Sequence, residues 1–520
     1  MRQTPCFAEL IRAMLGCCVL LGVQVHAQQG GCADCEFSVT GGSWPAVADL
    51  ADGGFVICWQ AQGSDSPGWE VHCQRFAADG TASGPPLRVN TSRSERHTEP
   101  AVASFADGGF VVCWNHYQPS EDRTDVWAQR FSANGQRLGP EFRVNSHTPG
   151  FQQRAAVASL RDGGFVVCWQ SQDQDGWEDG VFAQRFAADG SRMGTEFQVH
   201  TSVEGDEELV QVVPSSDGGF AASWHRSWAT DTRESREDIL CQQFDSLGNR
   251  LGAETKVTGA DVAPFARPSL SSLRDGGVVV CWARAPYQYW QDIRARHVSP
   301  GGTTLGPEFV VNTPAPDLWN LEPCVTMLRN GDLLFCWRHW PRPGSDGRSK
   351  CDIFARRVAA DGSPKGPEFR VNGRSEFGLL HNFPVLAPFA DSGFVACWQT
   401  GSGGIKARCF ASDPPPVTSD TVSVFKEAHP EGNFPNPFNS STRIRFLLPD
   451  EGKERHVRLK VYDLLGCEIA TLVDGVLHPG EHSVLWDGLD ACGTPVASGV
   501  YVYLIERGGL RTSRRMVLLR

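Results

Sequence analysis

The chain has 520 residues, enough for two or more domains, and a formal net charge of -12 with both signs scattered along it. No basic stripe occurs, which argues against a nucleic-acid partner, and an acidic surface speaks mainly for solubility. Glycine at 55, proline at 33 and 16 tryptophans favour many short strands and tight turns over a helical protein.

At the N-terminus, Arg2 and Arg12 precede the apolar run AMLGCCVLLGVQV, and Val25-His26-Ala27 offers small residues for cleavage. This reads as a secretory signal over 1–27, with Gln28 as the mature start. No later stretch reaches the roughly 18 apolar residues a spanning helix needs, so no membrane span is expected after signal cleavage. Three of the 18 cysteines fall in the signal, leaving an odd number, so at least one is unpaired or intermolecular.

The phrase DGGFVVCW then recurs. Its tryptophan stands at 59, 114, 169, 224, 282, 337 and 398, at intervals of 55, 55, 55, 58, 55 and 61. Such a period marks an array or a propeller. In the second unit, PAVASF (100–105) alternates as a strand and Asp107-Gly108-Gly109 is a hairpin turn. FVVCW (110–114) is a strand buried on both faces. DVWAQRF (125–131) and EFRVN (141–145) are the third and fourth strands, around the turn SANGQRLG (132–139). Six units carry that fourth strand, while the last stops at IKARCF (405–410). The missing copy, EFSVT (36–40), stands before the first unit. The count closes if this strand completes the last unit, giving an all-β, seven-bladed β-propeller over 36–412. The repeat resembles the "DGGFVV-W … QRF-ADG … GPEF-VNT" units found in tandem in large secreted bacterial proteins, a resemblance that implies the fold and no particular activity.

Cys58, Cys113, Cys168, Cys281, Cys336 and Cys397 precede the repeated tryptophan. Packed sheets lie about 10 Å apart, too far for a disulfide, so these read as buried small apolar groups. Cys58 and Cys73 lie on adjacent strands and are candidates to pair, and Cys35–Cys409 is a candidate staple of the ring. The lone Cys32–Cys35 spacing is weak evidence for zinc or redox chemistry.

After the linker 413–429 the period is lost, and residues 430–520 alternate as strands of a small β-sandwich. Pro435-Asn436-Pro437-Phe438-Asn439, Val461-Tyr462-Asp463 with Gly466, Trp486-Asp487-Gly488, Ser498-Gly499-Val500-Tyr501 and Met516-Val517-Leu518-Leu519 resemble the C-terminal sorting domain of type IX secretion cargo. That domain is related to the Ig-like domain of the flagellar hook-capping protein. The resemblance implies an export address, a secretion-machinery partner and a secreted or outer-surface location. Cys467 and Cys492 depart from the family pattern and are candidates to bridge.

The one-to-two and three-to-four turns of the repeat are nearly uniform, whereas the loops on the opposite face vary in every unit. Divergent loops on a rigid scaffold are where binding resides. They hold Trp69, Trp177, Trp228, Trp290, Trp319 and Trp340, with Arg226 and Arg338 beside them. Such rings stack on sugars, and arginines bond hydroxyls or carboxylates. In SQDQDGWEDG (171–180), Asp173, Asp175 and Asp179 are candidate Ca²⁺ ligands. His116, His225 and His339 follow equivalent strands of alternate units, too far apart to share a metal. No GxSxG, HExxH or P-loop occurs, and the sialidase-type Asp box is not matched. These features point to a secreted, non-catalytic binding protein for an extracellular glycan or protein. The alternatives are a polysaccharide hydrolase or lyase using carboxylates on the same face, and an envelope scaffold.

Overall fold

The computed structural model describes residues 36–410 and 429–519, apart from 64–67, 94, 203–204, 230–234, 260–266, 288–289, 314–317, 342–350, 374–380, 390–391, 402, 435, 449–454, 464–466, 479, 492 and 508–509. The signal, the linker and the bridges involving Cys32, Cys35 and Cys492 fall outside those residues. All described elements are strands, in two compact units that divide between Pro414 and Pro415.

In the first compact unit, each sequence repeat forms a four-stranded antiparallel sheet in chain order. Repeat 2 comprises Arg96–Ser104, Phe110–Gln118, Arg123–Phe131 and Phe142–Arg143. Repeats 5 and 6 are further joined by one parallel bridge, Gln291 to Trp319. The last sheet, His381–Phe389, Gly393–Thr400 and Gly404–Phe410, takes Glu36–Gly41 as its fourth strand, with Glu36 opposite Arg408. First strands of successive repeats touch one another, and His381–Phe389 touches Ser43–Asp49, so the chain of contacts returns to its start. This is a propeller-like arrangement of β-sheets.

The repeated phrase acquires a physical reason. Asp107 Oδ1 accepts from Gly109 N at 2.8 Å, and Gly108 takes φ 86°, where a side chain is strained. A Cβ on Gly109 would lie 2.7 Å from the Phe131 carbonyl oxygen, so the third strand passes too close for any other residue. The following strand buries Phe110 through Trp114 almost completely. Apolar clusters straddle neighbouring repeats, and the cluster holding Phe55 and Val395 joins the first repeat to the last through Phe37.

The fourth strand is less regular than the sequence pattern implies. In repeat 2 its ladder is split into Phe131–Arg137 and Trp127–Arg143 pairings. Side chains hold it instead. Asn145 Oδ1 accepts from Val126 N at 2.8 Å, and Asn90, Asn312 and Asn372 repeat this bond. Glu141 accepts from Thr91 N at 2.8 Å across the gap between repeats. Glu196, Glu254, Glu308 and Glu368 take the equivalent backbone N–H of the preceding repeat. Glu36 takes Gly373 N at 2.6 Å, so the N-terminal strand supplies the same clasp as an ordinary fourth strand.

The cysteines that precede six of the seven repeated tryptophans are buried free thiols, as is Cys241, pushed by burial up to about 12. Cys58 and Cys73 stand directly opposite across strands, as expected from sequence, but are free thiols rather than a bridge. The second compact unit has a three-stranded sheet (His429–Phe434, Thr442–Leu448, Gly480–Trp486) and a four-stranded one (Arg455–Tyr462, Glu468–Leu477, Gly499–Arg507, Leu510–Leu518). Phe438, Trp486, Tyr501, Met516 and Leu518, all from the motif stretches, form its core, so those motifs first of all build the fold.

Candidate functional site: a carboxyl cluster on the variable-loop face

The loop 173–178 of repeat 3 and the start of Asp206–Pro214 in repeat 4 meet on the variable-loop face. Asp173 N donates to the Glu178 carbonyl at 2.7 Å, closing the loop. Asp175 turns inward and takes His200 Nε2 at 2.8 Å, with both side chains buried. His200 replaces the asparagine of other repeats and keeps its duty, accepting from Val181 N at 3.1 Å. With the loop pinned this way, Trp177 stands 49% exposed at its tip.

Beside it lie Glu178, Asp179, Asp206 and Glu208. Desolvation raises Asp206 to about 6, helped by the charges of Glu178, Asp179 and Glu208 and a hydrogen bond with Glu178. Asp179 is also raised, chiefly by burial. Glu208 is paired with Arg154 Nη1 at 2.6 Å. One residue inward, Glu207 is fully buried and lifted to about 9 by desolvation, against the opposing charge of Arg226 at 3.2 Å. The arrangement thus places a carboxyl that keeps its proton closer to neutral pH than an ordinary aspartate among further carboxylates, one of which, Glu178, follows the exposed Trp177 in the chain.

The other aromatic candidates form separate groups. Arg226 lies over the Trp228 ring at 5.0 Å and donates to Ser202 Oγ at 2.7 Å. Arg338 lies over Trp340 at 4.5 Å and pairs with Glu322 at 3.0 Å, while Trp340 meets Trp319 edge to face. Trp69 is half-buried at the start of Trp69–Phe76. The Trp290 side chain falls outside the described residues. Asp173, Asp175 and Asp179 do not converge: Asp175 serves His200, Asp179 bonds Gln170, and Asp173 takes the turn at φ 57°. Among the described residues, the group brought within metal-ligating reach is Glu95, His97 and His116.

Sequence reasoning missed Asp206, Glu207 and Glu208. The signal was available in EGDEELV, an acidic run entering a strand whose counterparts begin RHTEPAV and QQRAAV.

No family model and no curated protein matches the chain. Among solved structures it is similar to a protein of unknown function from Dyadobacter fermentans, at 13% identity and TM-score 0.43, covering 62% of this chain and 96% of that one. It is similar to an α-L-arabinofuranosidase from Fusarium graminearum, at 12% identity and TM-score 0.39, covering 60% and 91%. It is also similar to the β-propeller domain of the trilobed protease from Pyrococcus furiosus, at 8% identity and TM-score 0.39, covering 75% and 99%. At these identities the likeness concerns the fold alone. The expectation of a non-catalytic binding protein is nevertheless corrected here. The similar structures of stated activity include an α-L-arabinofuranosidase, an α-L-arabinanase and an endo-arabinase, beside an acylaminoacyl peptidase, so the findings side with the hydrolase alternative over the non-catalytic reading. The argument for chemistry in this chain rests on its own carboxyl groups.

Proposed function

We propose that the first compact unit is a closed seven-bladed β-propeller that cleaves an extracellular polysaccharide through carboxyl groups on its variable-loop face. The second is an Ig-like sorting domain that addresses the chain for export to the cell exterior. The observation carrying the catalytic reading is Asp206, raised to about 6 among Glu178, Asp179 and Glu208, beside exposed Trp177. Glycosidic cleavage needs a carboxylic acid that protonates the leaving oxygen and a second carboxylate that acts as nucleophile or activates water. Asp206 fits the acid, because its surroundings keep the proton on it closer to neutral pH. Glu208 and Asp179, whose charges act on Asp206, are the candidate partners, and the exposed Trp177 ring is a candidate stacking surface for the apolar face of a sugar.

The test is release of reducing ends from a panel of polysaccharides by the full mature chain. Asp206→Asn is expected to lower the rate by about 10²–10⁴-fold, the usual worth of a general acid. Equal release by the variant, or none by folded wild type across the panel, contradicts the reading. New reducing ends without unsaturated products assign hydrolysis over elimination.

A further inference from the structure

A second arrangement on this face does not involve the acids of repeats 3 and 4. Glu95 ends the connector from repeat 1 to repeat 2. His97 lies on Arg96–Ser104, directly opposite His116 on Phe110–Gln118. The two rings meet edge to face at 4.8 Å, and Glu95 Oε2 lies 3.1 Å from His116 Nε2. One donor atom from each of the three lies within 4.8 Å of the others. Both histidines are buried; His97 Nε2 keeps only a poorly aligned contact with the Ser92 backbone, His116 Nε2 has only the Glu95 carboxylate, and His116 Nδ1 has no hydrogen-bond partner. Buried polar atoms are normally well satisfied, so ring nitrogens this poorly partnered in one place call for a ligand.

The same position in repeat 3 shows what a purely structural solution looks like. Gln152 accepts from Trp169 Nε1 at 3.1 Å and donates to the Pro149 carbonyl at 3.0 Å. His97 likewise accepts from Trp114 Nε1 at 3.1 Å, through Nδ1, but its other nitrogen keeps only an imperfect contact with the Ser92 backbone. Two imidazoles and a carboxylate are the donor set of zinc and related divalent metals. Asp125, opposite His116 on the next strand, and Glu141 add negative charge; Arg88 and Arg123 oppose it. We infer that Glu95, His97 and His116 form a binding site for a divalent transition metal of the zinc class, which fastens the connector to the repeat 2 sheet.

The indole bond sets a further condition. With Nδ1 accepting from Trp114, the His97 proton sits on Nε2. Ligation through Nε2 moves that proton to Nδ1, facing the indole N–H, so Trp114 must release its bond. Trp114→Phe is therefore expected to tighten metal binding, an effect that a merely structural histidine does not produce.

The experiment strips the full mature chain with a chelator and titrates it with Zn²⁺ and Co²⁺. The expected result is one site whose Co²⁺ spectrum lacks a thiolate charge-transfer band. His97→Gln, which installs the repeat 3 arrangement, and Glu95→Gln should each lose at least the roughly 10–100-fold in affinity that even outer-shell partners are worth. The metal-free melting temperature of His97→Gln should stay close to wild type, which separates loss of a ligand from loss of the fold. Absent binding, unchanged affinity in both variants, or a thiolate spectrum overturns the proposal.

Discussion

Repeats 3 and 4 fill one position of the same scaffold with Gln152 and Glu207, each seventeen residues before the buried tryptophan of its repeat. Gln152 satisfies Trp169 and is itself satisfied. Glu207 leaves Trp224 Nε1 without a partner, forms no well-aligned hydrogen bond, and is pushed up to about 9. Neighbouring Asp206 and Glu208 continue the acidic run. The residue at this position changes between repeats, with His97 in repeat 2, Asn320 in repeat 6 and His381 in repeat 7, and Trp337 and Trp398 also lack a well-formed indole hydrogen bond, so what sets repeat 4 apart is a buried acid flanked by further acids.

The comparison breaks most severely at the tryptophans that both repeats share. Trp169→Ala empties a fully buried site and is expected to cost about 3–5 kcal/mol, read as a drop in denaturant midpoint. An unchanged midpoint would remove the indole from the account of what the repeat stabilises.

Glu207→Gln converts repeat 4 to the repeat 3 solution and sharpens the comparison. The folded value of Glu207 lies above its ordinary 4.5. Its favourable contribution is therefore complete below about 4.5 and fades as pH rises toward 9, by up to about 1.4 kcal/mol per pH unit. The variant lacks that group, so its stability advantage over wild type should grow between pH 5 and 8. A gap that stays flat over this range would mean Glu207 is ionised in the fold.

Smaller effects belong to the clasps. Glu141→Ala removes bonds to Thr91 N at 2.8 Å and Thr91 Oγ1 at 2.7 Å and should cost about 0.5–1.5 kcal/mol by chemical denaturation. Smallest of all is the expected response to thiol labelling. Exposed Cys467 should react in the native protein, while Cys113, Cys168 and Cys281, buried and with raised values, should label only on unfolding, as peptide mapping would show.

Much of the fold was legible in the sequence, because backbone demands recur. Asp107, Gly108 and Gly109 each answer one geometric need, and the strand EFSVT was recognisable as the missing member of its set. Glu36 and Glu141 were visible in the same phrases, but only as strand residues. A charged side chain in an edge strand gives no sign of which neighbouring sheet it will clasp. The candidate site was legible only as a face. Asp175 is a candidate Ca²⁺ ligand by its spacing, but spacing carries no direction; His200, which turns it inward, lies 25 residues away. His116 was weighed against His225 and His339 at equivalent positions of alternate repeats, when its partner His97 faces it across one hairpin. Asp206 escaped notice because a raised carboxyl is a property of surroundings drawn from two repeats.

The most direct test of the catalytic reading is the pH dependence of sugar release by the full chain, with Asp206→Asn beside it. A general acid must be protonated to act, so the wild-type rate is expected to fall as pH rises through about 6, and the variant should lose that descending limb together with most of its rate. A wild-type profile with no limb near pH 6, or one that Asp206→Asn leaves unchanged, would contradict the assignment of Asp206 as the acid and the carboxyl chemistry built on it.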